Sequence, residues 1–180
     1  MRKQAKGSSD QIIHYLLKDD GIFPNNPAIP LIIQVGAFPL DGKGKADPER
    51  MESVFNSHRW RSDWRNGLYT MHHYHSTAHE ALGVYSGMVR ARFGGETGPE
   101  ISASAGDVVI IPAGVAHKNI WSSQDFRVVG AYPEGQRWDM NYGKEGERPR
   151  TDHNIRALPL PALDPVAGDE GPLMELWGLL

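Results

Sequence analysis

Over residues 68–133 the chain alternates short apolar runs with breaks rich in Gly, Pro, Ser or Asp: LYTMHHYH, EALGVYSG, MVRARFGG, EISASAG, DVVIIPAG, AHKNIW and FRVVGAYP. Short strands at regular spacing, separated by turn residues, indicate an antiparallel sandwich or barrel. Upstream, LIIQVGAF (residues 31–38) is apolar and β-branched ahead of Pro39 and predicts a further strand. Residues 11–18 fit a strand or a short helix, and DDGIFPNNPAIP predicts turns and extended backbone without a regular element. One helix is expected, in DPERMESVFNSHRW, with Asp47 as N-cap, Pro48 at the first helical position and Met51, Val54 and Phe55 on one face. Trp60 and Trp64 follow among charges and are expected to pack against the domain.

Beyond Tyr132 the pattern fades. PEGQRWDMNYGKEGERPRTD is polar and glycine-rich, and the tail carries four prolines before the apolar MELWGLL. That tail is expected to wrap over the barrel or cover an edge strand, or to dock in a dimer partner. No internal repeat is visible, so the chain reads as one domain. Residues 1–66 supply strands and a helix packed on the barrel, 67–132 the barrel core, and 133–180 an irregular extension; residues 1–9 are expected to be a loose tail.

Composition narrows the chemistry. The 180 residues are 39% apolar and 23% charged, as in a globular protein that buries a core. A formal net charge of −3 offers no basic field for a polyanion, which argues against nucleic acid as a partner. With no cysteine, disulfides and thiolate sites are excluded, so a metal would rely on nitrogen and oxygen donors. The start of the chain lacks a signal-peptide pattern, and no run approaches the ~18 apolar residues of a membrane span. A cytoplasmic location with no membrane partner is expected.

The candidate chemistry lies in residues 67–121, which hold five of the eight histidines, four of them between positions 72 and 79. On a strand, His73 and His75 project from one face about 7 Å apart, with His72 and Tyr74 on the other. Glu80 and His117 complete a set of three imidazoles and a carboxylate that can converge on one divalent metal. His79 competes only if residues 75–80 are helical, and Ser76, Thr77 and Gly83 disfavour a helix; it is placed instead in a loop near the barrel mouth. Without a metal, the same residues would be hydrogen-bonded barrel histidines.

Gly67, His73, His75, Glu80 and Gly87 carry the spacing of the first cupin motif. Gly106, Pro112, Gly114 and His117 carry the second, in which Trp121 stands where Asn is usual. Nine of ten fixed positions match, so the chain resembles a single-domain cupin. GIFPNNPAIP, HYHSTAHEALGVYSG and VVGAYPEGQ further resemble the bacterial YjlB-like cupins. The resemblance implies an all-β double-stranded β-helix, a jelly-roll variant, with one N-terminal helix and irregular flanks. It also implies one divalent transition metal per chain (Fe, Mn, Ni, Co or Zn) on His73, His75, Glu80 and His117, with Glu80 a fixed ligand or a catalytic base.

Open coordination positions on such a metal suit a small-molecule metalloenzyme of dioxygenase or isomerase type. The alternative is a barrel that binds or senses a small ligand without turnover, and the lack of a helix-turn-helix pattern weighs against it. The expected ligand is a small polar molecule, such as a keto acid, sugar derivative or catechol-like ring. Homodimers are common among cupins, and MELWGLL is a candidate interface. Secondary candidates are Arg90 and Arg92, on one strand face, as a carboxylate anchor, and Tyr85 and Tyr132 as ligand donors. Gly94 and Gly95 make a hairpin turn rather than a phosphate loop.

Overall fold

The computed structural model describes residues 11–179. The tail expected over residues 1–9 lies outside the described residues. Nine strands and three helices follow in chain order: β1 (Gln11–Leu17), β2 (Asn26–Val35), α1 (Pro48–Ser57), β3 (Trp60–Asn66), β4 (Glu80–Ser86), β5 (Met88–Phe93), β6 (Glu100–Ser104), β7 (Val108–Ile111), β8 (His117–Ser122), β9 (Arg127–Pro133), α2 (Arg150–Ala157) and α3 (Pro172–Leu176). They form a six-stranded sheet in the order β1-β2-β7-β4-β9-β3 and a three-stranded sheet in the order β6-β5-β8. Every named pairing is antiparallel. The two sheets face each other as the expected jelly-roll barrel.

The central strands are apolar without a break because both of their faces are covered. Leu31 and Ile33, Leu82 and Val84, Val109 and Ile111 point into the barrel against Val89, Ala91, Phe93, Ile101 and Ala103 of the smaller sheet. Ile32, Ala81, Ile110, Val129 and Ala131 point the other way, onto Met51 and Phe55 of α1 and Leu173, Met174 and Trp177 of the C-terminal segment. Each fully buried Ile, Leu or Phe here stabilises the fold by roughly 1.5–3 kcal/mol.

Several local expectations give way to tertiary constraints. The first apolar stretch is a strand, and β2 begins at Asn26, inside the segment expected to be irregular. Its Pro27 and Pro30 are tolerated because the β1 pairing jumps from Leu17↔Asn26 to Tyr15↔Leu31, and no ladder bond is demanded between them. The helix is capped as expected, with Asp47 Oδ1 accepting from Glu49 N at 2.9 Å. It stops at Ser57 rather than running to Trp60. Trp60 and Trp64 lie on β3, an unforeseen strand at the sheet edge. A register shift between Ser62 and Trp64 accompanies the seating of the Trp64 indole on Gly130, where a Cβ would come within 2.2 Å of it.

The run LYTMHHYH is not a strand. It makes isolated bridges, His73↔His117 on one side and Tyr74↔Asn141 on the other, too sparse for a ladder. The C-terminal extension is more regular than expected, because α2 and α3 form within it. Its buried Asp164 accepts from Gln34 Nε2 at 2.8 Å, and Trp177 Nε1 donates to Pro30 O at 2.9 Å. These bonds fasten the tail over its own barrel. No helix among the described residues is long and apolar enough to cross a membrane.

Candidate metal centre

Each candidate ligand is placed by a separate piece of local structure. Glu80 opens β4 and shares the inward face with Leu82 and Val84. His117 opens β8 behind the Pro112–Gly114 turn. There Gly114 has φ of +93°, and a Cβ would meet Asn25 O at 2.3 Å, so only glycine fits. Asn25 Oδ1 also accepts from Ala116 N at 3.1 Å, which sets the backbone just before His117. His73 is tied to that strand by paired backbone bonds of 3.2 and 3.0 Å with His117. His75 O accepts from Gly114 N at 2.8 Å. The irregular segment is therefore stitched to β8 and keeps the alternation of a strand.

The structure brings His73, His75, Glu80 and His117 together, all buried. One ring nitrogen from each histidine lies within 4.8 Å of those from the other two. Glu80 Oε2 sits 3.4 Å from His117 Nε2 and 3.6 Å from His75 Nε2. On the far side of each ring, Nδ1 faces a main-chain carbonyl: Met71 O for His73 at 3.2 Å, Asp139 O for His75, and Val115 O for His117 at 3.0 Å. Donation to those carbonyls assigns the proton to Nδ1 and leaves the Nε2 lone pairs free. His117 Nε2 and Glu80 Oε2 are buried without a hydrogen-bond partner. Electron pairs gathered in this way repel one another unless a cation lies between them. The donor set of nitrogen and carboxylate oxygen therefore fits a divalent transition metal.

The charges follow from burial and proximity. Burial, helped by His117, pushes the His73 imidazole down to about 3. Burial also acts to lower His75, but the adjacent Glu80 carboxylate outweighs it and the net shift is upward. Burial acts to raise Glu80, yet His75 and His117 outweigh it and hold its carboxyl well below the ordinary range. Glu80 therefore stays ionised.

Glu80 has a partner that the sequence did not single out for this role. Tyr132 Oη donates to Glu80 Oε1 at 2.7 Å and accepts from Trp64 Nε1 at 2.9 Å. One carboxylate oxygen is thereby held and the other turned to the histidines. Burial and the Glu80 charge raise the Tyr132 phenol above its ordinary value, so it remains a donor. Asp139 is the second such residue. Its side chain accepts from Ser76 N at 2.6 Å while its main-chain oxygen faces His75. Neither contact had a sequence signal, because the partners are 52 and 63 residues apart.

The other candidates lie elsewhere. His79 is not at the barrel mouth. It precedes Glu80 by one residue, so alternation sends it through the sheet, where it is buried 4.8 Å from the Trp177 ring with Nδ1 accepting from Ala113 N at 3.0 Å. His72 turns away from His73 and packs on Phe23 at 5.3 Å. Arg90 and Arg92 point outward and pair with Glu100, and Arg92 also with Glu96, away from the site. Tyr85 lines a hollow with Phe38 and Pro48 on the other side of the sheet.

A cavity of about 470 Å³ adjoins the four ligands, with Trp64, Tyr69, Tyr132, Trp138 and Met140 in its walls. Its volume suits a small organic molecule.

No family model matches the chain. It is 42% identical over 163 residues to the Uncharacterized protein YjlB of Bacillus subtilis (strain 168), covering 91% of this chain and 94% of that one. Among solved structures it is similar to procruciferin, an 11S globulin from Brassica napus, at 16% identity and a TM-score of 0.39, over 70% of this chain and 31% of that one. It is also similar to dTDP-6-deoxy-D-glucose-3,5-epimerase RmlC from Legionella pneumophila Philadelphia 1, in complex with dTDP-4-keto-L-rhamnose, at 15% identity and a TM-score of 0.34, over 69% and 72% of the two chains. The chain thus spans less than a third of the globulin. Aligned over more than nine-tenths of its length with YjlB, and carrying the cupin motifs on a jelly-roll barrel, the chain belongs to the YjlB family of cupins.

Proposed function

We propose that the protein is a small-molecule metalloenzyme that holds one divalent transition metal on His73, His75, Glu80 and His117. The observation that carries this reading is the convergence of three Nδ1-anchored imidazoles and the orphaned Glu80 Oε2 beside an open cavity. A bound metal of this class supplies Lewis acidity or a site for dioxygen, which suits isomerase- or dioxygenase-type chemistry. Around it the chain's own residues have separable tasks. The carbonyls of Met71, Asp139 and Val115 hold the rings in one tautomer. Tyr132 and Trp64 fix Glu80, which favours a permanent ligand over a base that swings free. The aromatic walls exclude water from one side of a bound molecule.

The open cavity favours turnover or ligand exchange over a purely structural ion, since four protein ligands leave further positions on a five- or six-coordinate metal and the cavity gives a small molecule access to them. The test is elemental analysis of protein purified without chelator or His-tag and reconstituted anaerobically with Fe(II), Mn(II), Ni(II) or Zn(II). About one ion per chain is expected for wild type and His79→Ala, and less than about a tenth of that for His75→Ala. Full occupancy in His75→Ala would overturn the ligand assignment.

A further inference from the structure

The cavity beside the proposed ligands is walled by aromatic rings and carries no cation. Trp64, Tyr69, Tyr132 and Trp138 line it, and Asp63 and Asn66 are its polar groups beyond the ligand set. Among the described residues no lysine or arginine lines it. Arg61 lies on the exposed side of β3 and already faces Asp63, at 3.7 Å. Proteins that recognise carboxylates or phosphates place guanidinium or ammonium groups against them. Beyond the ligand cluster the one charged group in the wall, among the described residues, is the Asp63 carboxylate, which Arg61 meets only from the exposed side. A substrate carboxylate or phosphate held away from the ligand cluster would lie beside Asp63 with no cation of the wall to pair with.

The rings supply the attraction instead. Trp138 donates from Nε1 to Asp63 Oδ2 at 3.2 Å, which anchors its indole at the rim 5.7 Å from the His75 ring. Tyr69, also in the cavity wall, stands edge-on to His73 at 5.3 Å. Both are large side chains left exposed, at 60% for Tyr69 and 42% for Trp138, and their rings offer a flat ligand in the cavity apolar surface to cover. We propose that the site takes an uncharged, flat, ring-bearing molecule that reaches the ligand cluster through a hydroxyl or carbonyl oxygen, and that it rejects carboxylates and phosphates. The oxygen end rests on the metal reading above, whereas the charge preference rests on the walls alone.

Matched probes test it. Kojic acid is an uncharged hydroxypyranone, and comenic acid is the same ring and chelating pair with a carboxylate in place of the hydroxymethyl group. Binding to Zn(II)-loaded protein, read by tryptophan fluorescence and checked by equilibrium dialysis, should favour kojic acid at least about tenfold. Trp138→Ala should weaken kojic acid about tenfold while zinc content, measured on the same samples, stays unchanged. The second pair, 4-hydroxybenzyl alcohol and 4-hydroxybenzoate, needs no metal, and metal-free protein should favour the alcohol. A protein that takes up no zinc overturns the metal reading and leaves this second comparison standing. Equal or tighter binding of the carboxylate in either pair, or no binding of any of the four probes, overturns the proposal.

Discussion

Replacing Tyr132 with Phe isolates the contact that orients Glu80. The ring stays and two hydrogen bonds go: 2.7 Å to Glu80 Oε1 and 2.9 Å from Trp64 Nε1. A bond to a buried charged acceptor contributes about 1.5–3 kcal/mol, and an unpaired buried N–H costs about 1–3 kcal/mol. Water from the adjoining cavity can reach part of this site, so the metal-free protein should lose about 2–4 kcal/mol in urea denaturation. Glu80 would then be free to rotate or to present both oxygens, and zinc affinity should fall about 10–100-fold, as for other groups that orient a metal ligand. Competition with a chromophoric chelator reads that change. Trp64→Phe provides the control. It removes the donor to Tyr132 but leaves the bond to Glu80, so zinc affinity should drop by less than about threefold even though the barrel loses packing on Gly130. Unchanged zinc affinity in Tyr132→Phe, with a stability change under about 0.5 kcal/mol, would refute the argument that this phenol positions the carboxylate.

His79→Ala should retain about one metal per chain yet lose about 2–4 kcal/mol of stability, because it opens a hole beside Trp177 and strips Ala113 N–H of its acceptor; both are read from metal content and denaturation of the same sample. Glu147 accepts from Tyr142 N at 2.7 Å, Gly143 N at 2.8 Å and Tyr74 Oη at 3.0 Å. Burial acts to raise its carboxyl, but these donors outweigh it and hold it below the ordinary value of 4.5. A depressed folded-state pKa stabilises above the unfolded value and is lost as pH falls through the folded one. Glu147→Gln should therefore be less stable than wild type at neutral pH, and the gap should narrow as pH drops below about 4.5. A gap that stays constant from pH 7 to 3 in denaturation curves would count against this role.

The parts of the molecule legible in the sequence are those encoded over short distances. The alternation through His73 and His75, the Asp47-Pro48 cap and the Pro-Ala-Gly turn before His117 are local signals, and each has its expected consequence in the structure. β3 was hidden because only Trp60 and Trp64 in it are bulky and apolar, and the register shift that accommodates Trp64 depends on Gly130 in a distant strand. The helix RTDHNIRA has few apolar residues to mark a buried face, and its buried Thr151 is held by the Tyr74 hydroxyl at 3.1 Å, a contact spanning 77 residues. The burial of His79 behind the sheet, rather than at the barrel mouth, follows from alternation about Glu80: a residue one step from an inward carboxylate points outward. Tyr132 is legible in the sequence as a candidate donor to a bound ligand but not as the partner of Glu80, because that contact exists only once β4 and β9 pair.

X-ray absorption at the metal edge, on protein reconstituted with zinc, tests the central claim most directly. The account predicts a shell of nitrogen and oxygen donors near ~2.0–2.1 Å, multiple scattering from about three imidazoles, and loss of one imidazole contribution in His117→Ala. A spectrum without imidazole scattering, or one unchanged by His117→Ala, would contradict a centre built on His73, His75, Glu80 and His117.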